Sequence, residues 1–258
     1  MPAILMAMDD WYPQAAGGAR FDWGPTGAER LSSAVACLVV IDVLSFTTSV
    51  TVAVESGTRV FPYAWRDASA SVFADRMDAQ LAVGRRMATS ASPWSLSPAA
   101  LREAPFTPRL ALPSPNGSAI SAAAGGSVVV AGCLRNATAV GRWLALNGYG
   151  TLARPVAVIA SGERWPDGSL RPALEDLLGA GAGLAALRKQ RGGPLSPEAA
   201  TAAACFEATP DVIAAVSAGA SGQELISGGF PDDVGIATEL NVSDVVPVLT
   251  DGAFTAAG

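Results

Sequence analysis

Residues 35–43 read VACLVVIDV, and this stretch is the most informative part of the chain for its fold. The run is apolar and rich in β-branched residues as far as Asp42, which is typical of a strand buried on both faces of a parallel sheet. An ionised carboxylate is costly in such surroundings unless it is paired or bound to a metal. Asp42 is therefore either a functional residue at the end of this strand, or a helix N-cap or member of a buried ion pair.

Similar apolar runs alternate with helical patterns along the rest of the chain. This alternation predicts an α/β protein with a three-layer α/β/α fold and a largely parallel or mixed sheet. No linker or change of composition divides the sequence, so we expect one domain over residues 1–258. Loops are predicted at 89–108 and 163–169 from their Ser, Pro and polar content. Strands are predicted at 35–43, 58–63, 110–113, 128–133, 156–161, 234–239 and 245–249, and helices at 47–56, 67–87, 118–124, 136–147, 172–190, 196–208, 211–217 and 221–226.

The composition excludes several classes of function. The 258 residues carry a formal net charge of −6 and contain no histidine. An acidic chain is poorly suited to electrostatic capture of nucleic acid, so we expect no nucleic-acid partner. Without histidine, Ser-His-Asp and Cys-His catalysis are excluded, and acid–base chemistry falls to carboxylates, cysteine, tyrosine or metal-bound water.

The sequence also bears on the expected location of the protein. Residues 1–10 lack the basic and apolar regions of a signal peptide, and the apolar run at 35–41 is too short to cross a bilayer. We therefore expect a cytoplasmic protein without a membrane partner. A homo-oligomer formed through the Ala- and Gly-rich helices remains open.

Polar residues follow four of the predicted strands, at the edge where open parallel sheets bind ligands. Helix N-termini at this edge suit an anion, and carboxylates suit Mg²⁺. The pattern predicts a Mg²⁺-assisted site for a small phosphorylated or otherwise anionic substrate. The candidate catalytic residues are Asp42, Glu163, Glu175 and Asp176; the candidate metal ligands are Asp42, Glu175 and Asp176; the candidate substrate-binding residues are Thr47, Thr48, Asn116, Gly117, Ser118, Arg135, Asn136 and Arg164.

Each of these residues also has an ordinary structural interpretation. Thr47, Thr48 and Ser118 lie where hydroxyls cap helices. The Asn116-Gly117 pair is a turn signal in its own right. The acidic residues at 175–176 fit the first turn of a helix, where negative charge is favourable. Glu163 fits a solvated loop.

A family resemblance adds to these observations. Residues 42–48, DVLSFTT, resemble the Asp-Val-Leu-Arg-Ala-Thr-Thr motif of the 2-phosphosulfolactate phosphatase (ComB-like) family. The resemblance extends over about residues 35–252. Further segments agree in order: Asn116-Gly117-Ser118, Leu134 with Asn136 and Ala137, Ser161-Gly162 followed by Glu175-Asp176, and a C-terminal signature that includes Ser221-Gly222, Asp232-Asp233-Val234 and Val246-Pro247-Val248.

The resemblance implies an α/β/α fold and a Mg²⁺-dependent phosphatase that hydrolyses 2-phosphosulfolactate to sulfolactate and phosphate. It implies site residues at Asp42, Asn116, Asn136, Glu175 and Asp176. Thr47 and Thr48 would lie near the phosphate.

The chain departs from the family pattern where cations are expected. Ser45 replaces the Arg of the first motif, and the family's Gly-Glu-Arg-Gly-Gly segment has no counterpart before Ser97-Pro98. Arg135, Arg164 and Arg171 are the candidate replacements. Two hypotheses follow: a Mg²⁺-dependent phosphatase, or a non-catalytic protein that binds an anionic metabolite at the same edge. A third, a structural subunit of an oligomer, predicts that the four junctions do not cluster.

Overall fold

The computed structural model describes residues 14–65, 67–122, 126–190 and 193–258. Within these residues, nine strands form one sheet and two short strands form a separate hairpin. In chain order the strands are β1 Ala19–Trp23, β2 Cys37–Ile41, β3 Arg59–Tyr63, β4 Gln80–Leu81, β5 Arg109–Pro113, β6 Val128–Gly132, β7 Val156–Ala160, β8 Glu163–Arg164, β9 Leu170–Arg171, β10 Pro247–Thr250 and β11 Ala253–Ala256.

Eleven α-helices and two 3-10 turns complete the described part of the chain. No single helix there is long and apolar enough to cross a membrane, although the bent pair α8 and α9 together passes on length and composition. The helices are α1 Gly24–Ser32, α2 Phe46–Glu55, α3 Ser69–Arg76, α4 Pro98–Glu103, α5 Gly117–Ala122, α6 Ala137–Leu146, α7 Leu174–Lys189, α8 Pro197–Glu207, α9 Val212–Ala218, α10 Ala220–Ser227 and α11 Pro231–Ala237; the 3-10 turns are Arg85–Met87 and Leu134–Asn136.

The main sheet is mixed. Its spatial order is β1-β7-β2-β6-β10-β11-β3-β5-β4. The first four strands are parallel to one another, as are the last three. The β10–β11 hairpin lies between these groups and pairs antiparallel with both. Three successive antiparallel pairings reverse strand direction, so the two parallel groups run in opposite senses.

Helices cover both faces of the sheet. In β2, Val39 and Ile41 belong to one hydrophobic core, whereas Leu38 and Val40 belong to the other. This alternation follows from the two-residue period of a strand. Helices α6, α7 and α8 contribute to the first core, and α1, α2 and α5 to the second. The predicted three-layer α/β/α architecture is therefore confirmed.

Two predicted elements are wrong. The helix expected over 67–87 ends at Arg76, because Asp78 adopts a left-handed conformation with φ of 49°. Leu81 then joins the sheet as part of β4 beside β5. The strand expected over 234–239 is helix α11, which begins with Pro231 and has Asp232 and Asp233 in its first turn. Proline and acidic residues at these positions are helix-start signals.

Other differences are smaller. The predicted loop at 89–108 contains α4, and the predicted loop at 163–169 contains β8 and belongs to a hairpin with β9. The elements β1, α1 and β11 are absent from the sequence-based prediction. The predicted helix at 118–124 is α5, and its positions 123 and 124 lie outside the described residues.

Candidate active site

Three of the four predicted junctions meet around a cavity of about 220 Å³. Asp42 follows β2, Asn116 follows β5 and Glu163 follows β7, and all three line the cavity. The β5 junction belongs to the reversed half of the sheet. It reaches the cavity because α5 packs against both β2 and β3. This clustering contradicts the third hypothesis, in which the junctions lie apart.

Asp42 is held by backbone amides from two segments. Its Oδ1 accepts a hydrogen bond from Phe46 N at 3.1 Å, and its Oδ2 accepts one from Gly117 N at 3.0 Å. The side chain is 6% exposed. Backbone N–H donors stabilise the ionised form of a carboxylate.

Gly117 is required for this close approach. A Cβ at this position would lie 2.3 Å from Phe46 Cδ1 and 2.9 Å from Asp42 Oδ2. Such distances are far inside van der Waals contact, and the Phe46 ring is fully buried. The glycine of the Asn-Gly pair thus serves the site as well as the turn.

Glu163 lies beside this turn and lines the same cavity. Asn116 Nδ2 donates a hydrogen bond to its Oε2 at 3.2 Å. Burial raises the pKa of Glu163 from 4.5 to about 7, and the negative charge of Asp42 adds to this effect. A carboxyl group with a pKa near neutrality can both accept and donate a proton at physiological pH.

Asp176 stands behind Asp42 and is fully enclosed. Its Oδ1 accepts from Val43 N at 2.7 Å, and its Oδ2 accepts from Gly162 N at 2.8 Å. Burial raises the pKa of Asp176 well above its usual range, and the charges of Asp42 and Glu175 raise it further. Asp176 therefore connects the ends of β2 and β7, whereas the buried Glu175 adds negative charge behind the cavity.

The hydroxyls predicted to bind substrate have structural partners. Thr47 Oγ1 accepts from Asp42 N at 3.0 Å and donates to Asp42 O at 2.8 Å. Thr48 Oγ1 donates to Val43 O at 2.8 Å. Ser118 Oγ donates to Leu112 O at 3.4 Å. These bonds fix the turns that place Asp42 and Gly117, but none of the three hydroxyls accepts from the first N–H groups of a helix, so the capping interpretation is not confirmed.

The β6 junction does not reach the cavity, which corrects the prediction for Arg135 and Asn136. The Arg135 guanidinium pairs with Glu55 at 3.0 Å and with Glu239. Asn136 Oδ1 accepts from Cys133 N at 2.9 Å, and its Nδ2 donates to Val245 O at 3.0 Å. Both side chains are buried, and their polar groups connect β6 to the C-terminal segment.

Arg164 is also misplaced by the sequence-based prediction. It lies in the β8–β9 hairpin, where its guanidinium donates to Gly168 O at 3.2 Å, and it is exposed. Arg171 from the same hairpin is closer to the site, since its charge lowers the pKa of Glu163. It also faces Glu224 at 3.7 Å.

The cation that lines the cavity is Arg85, which sequence reasoning missed. It follows Gly84 and precedes Arg86, and this Gly-Arg-Arg segment comes before Ser97-Pro98. The family's Gly-Glu-Arg-Gly-Gly segment precedes Asn-Ser-Pro in the same order. This order of the two segments was the available signal that Arg85 belongs to the site. The predicted helix at 67–87 concealed it, because a helical interpretation places Arg85 far from any strand end.

The donor set suits a divalent cation. Within the described ranges, no three carboxylate or cysteine side chains are grouped closely enough to form a metal site by themselves. Mg²⁺ needs only one or two carboxylates, together with water and substrate oxygens. Of the predicted metal ligands, Asp42 lines the cavity, whereas Asp176, whose pKa is raised by burial, has both oxygens on the backbone amides of Val43 and Gly162.

The fold and this cavity define an α/β/α protein with an acidic ligand site where strand ends meet. The family model described as 2-phosphosulpholactate phosphatase matches residues 26–252 of the 258. The chain therefore belongs to this family of phosphatases, which are hydrolases, and the resemblance noted in its motifs is confirmed. No curated protein matches the chain in a sequence search.

Proposed function

We propose that this protein is a Mg²⁺-dependent phosphatase for a small acidic phosphate ester similar to 2-phosphosulfolactate. The observation that carries the proposal is the Asn116-Gly117 turn. The Asn116 side chain donates a hydrogen bond to Glu163, and the Gly117 backbone N–H donates one to Asp42. Asp42 and Glu163 thereby face one cavity of about 220 Å³, a size suited to a small metabolite. Membership of the phosphatase family supports the same reaction class.

Asp42 would hold the cation. Its orientation is fixed by the amides of Phe46 and Gly117, so little reorganisation accompanies binding. When bound, the cation supplies Lewis-acid polarisation of the phosphoryl group. Asp176 would hold the ends of β2 and β7 in place around Asp42, because its oxygens accept from Val43 N and Gly162 N, and the buried Glu175 would add negative charge nearby.

Glu163 would transfer the proton. Its Oε2 accepts from Asn116, which leaves Oε1 to take a proton from the attacking water. Water attacks phosphorus, the ester P–O bond breaks, and the departing alkoxide receives the proton from Glu163. The raised pKa of Glu163, about 7, suits both halves of this exchange.

The test measures phosphate release from 2-phosphosulfolactate and 2-phospholactate, with Mg²⁺ and with EDTA. The informative variant is Glu163→Gln, because its amide oxygen still accepts from Asn116. Asp42→Asn is a poorer probe, since one of two backbone N–H donors would lose its acceptor. The matched control is Glu103→Gln, which removes an exposed carboxylate from α4.

We expect Mg²⁺-dependent turnover that falls about 100-fold or more in Glu163→Gln, within the range of general acid–base contributions, and that is retained in Glu103→Gln. Turnover that is unaffected by EDTA would refute the metal dependence. Absence of turnover with both esters, while either one raises the melting temperature, would favour the non-catalytic anion-binding protein instead.

A further inference from the structure

The cavity that Asp42 lines is also lined by a cation, Arg85. Arg85 Nε donates to Asp233 Oδ2 at 2.8 Å, and its Nη2 donates to Ser45 Oγ. The side chain is 17% exposed and lines the same cavity as Asp42. Among the described residues that line this cavity, Arg85 is the one cation.

Asp233 fixes the position of the Arg85 guanidinium. It is 1% exposed, and its Oδ1 accepts from Ser97 Oγ and from Ala99 N at 3.2 Å. The Asp233 carboxylate therefore accepts three hydrogen bonds, one of them from Arg85, and Arg85 donates a further one to Ser45. The guanidinium is immobilised through Nε and one terminal nitrogen, while Nη1 has no hydrogen bond to the described residues.

Ser221 contributes an unused hydroxyl at the same cavity. The residue is 5% exposed, and its Oγ has no hydrogen-bond partner within the described part of the chain. A buried hydroxyl without a partner costs free energy, so such a group points to a bound water or ligand. The backbone beside Ser221 packs closely against the preceding helix, because a Cβ at Gly222 would lie 2.1 Å from Val216 O. This close contact fixes the position of the Ser221 side chain.

We propose that Arg85 and Ser221 form a subsite for a second oxyanion of the substrate, a carboxylate or a sulfonate, distinct from the phosphoryl group. This inference rests on the proposed phosphatase function. It names the two side chains that select an acidic ester over a neutral one.

The charge distribution favours this division of the cavity. Asp42 and Glu163 repel an anion, so the phosphoryl group reaches them only with a cation. Glu224, the third carboxylate that lines the cavity, faces the Arg171 guanidinium at 3.7 Å. Arg85 needs no cation, and its Nη1, which has no hydrogen bond to the described residues, offers N–H donors to a carboxylate or sulfonate. An ester without a second anion would leave the Ser221 hydroxyl without an acceptor.

Two substrates with one carbon skeleton test the subsite. 2-Phospholactate carries a carboxylate where isopropyl phosphate carries a methyl group. We expect Arg85→Met to lower kcat/KM for 2-phospholactate by about 30-fold or more, as loss of charge-assisted hydrogen bonds does. The kcat/KM for isopropyl phosphate should change less than about threefold in the same variant. Ser221→Ala should lower kcat/KM for 2-phospholactate by about five- to tenfold and should likewise have little effect on kcat/KM for isopropyl phosphate.

Matched controls separate the subsite from general effects of charge or helix stability. Arg86→Met removes the same charge from the exposed neighbouring residue, and Ser227→Ala removes an exposed hydroxyl from the same helix as Ser221. Neither control should alter the preference for 2-phospholactate. A further comparison with 2-phosphosulfolactate shows whether the sulfonate or the carboxylate occupies the subsite, because only the occupant's contribution is lost in Arg85→Met.

Equal losses for 2-phospholactate and isopropyl phosphate in Arg85→Met, with no larger loss for 2-phosphosulfolactate, would overturn the subsite while leaving the phosphatase intact. Calorimetric titration with sulfolactate, which has no phosphate, keeps the two proposals separate. If the wild type binds sulfolactate and Arg85→Met does not, while no ester is hydrolysed, the subsite stands and the phosphatase falls. Sulfolactate binding that is unchanged in Arg85→Met would overturn the subsite whatever the turnover, and absence of both binding and turnover refutes both proposals.

Discussion

The backbone N–H of Gly117 donates a hydrogen bond to Asp42 Oδ2 at 3.0 Å, across 75 residues of sequence. The contact joins the end of β2 to the turn after β5, although these strands lie in different parallel groups of the sheet. Because the neighbouring Asn116 bonds Glu163, one turn orients two of the three carboxylates that line the cavity.

Gly117→Ala should therefore destabilise the protein and distort the site. The added Cβ would meet Phe46 Cδ1 at 2.3 Å, and overpacking of this kind costs about 1–3 kcal/mol. Urea unfolding measures the change in the free energy of unfolding. The control is Gly183→Ala in α7, where a Cβ meets nothing within 4 Å and removal of a helical glycine should stabilise by about 0.5–1 kcal/mol. Wild-type stability in Gly117→Ala would contradict the described contact.

Stability without metal should decline as pH rises from about 4.5 to about 7. Glu163 has a folded-state pKa above its unfolded value, so folding favours the protonated form and this stabilisation is lost as pH rises through the folded pKa. The contribution is at most about 3 kcal/mol for a pKa shift from 4.5 to about 7. Urea unfolding in EDTA at pH 5 and pH 8 should show a smaller decline for Glu163→Gln than for the wild type.

The exposed-site variant Glu103→Gln should follow the wild-type pH profile. Parallel profiles for the wild type and Glu163→Gln would show that Glu163 titrates normally. Addition of Mg²⁺ at pH 8 should raise the free energy of unfolding, because a ligand that binds the folded state stabilises it.

Arg135→Met should affect stability rather than catalysis. The buried guanidinium bridges Glu55 and Glu239, which are about one-third exposed and can be partly rehydrated. We expect a loss of about 1–3 kcal/mol in the free energy of unfolding, the usual cost of leaving hydrogen-bonding groups without partners. The KM for 2-phospholactate of the folded fraction should be unchanged; an increase of tenfold would restore Arg135 as a substrate-binding residue.

Asp233→Asn tests whether Asp233 positions Arg85. Loss of the negative charge weakens the anchor of the guanidinium, so the KM for 2-phospholactate should rise several-fold while kinetics with isopropyl phosphate stay nearly constant. Asp233→Glu should restore part of the difference. Asp232→Asn, at the exposed neighbouring position, serves as the control. If the role of Asp233 is purely structural, Asp233→Asn should alter the kinetics with 2-phospholactate and with isopropyl phosphate to the same extent.

Much of the fold could be predicted because the relevant signals are local. The β-branched run at 35–43 fixes a strand buried on both faces, and its alternate residues do enter two cores. Strand ends followed by Asp42, Asn116 and Glu163 predicted three of the residues that line the cavity. The junction at Arg135 looked equivalent in sequence, but its side chains serve contacts with the C-terminal segment.

The sequence by itself determined the α/β class and the family, and it placed Asp42 and Glu163 at strand ends, because strand burial and strand-end chemistry follow from residue type and period. Only the tertiary structure decided that the β10–β11 hairpin enters the sheet and reverses one parallel group. It also decided that Arg85, on a short 3-10 turn, supplies the cation of the cavity. Both depend on contacts between segments far apart in the chain, such as Arg85 with Asp233, which no local pattern encodes.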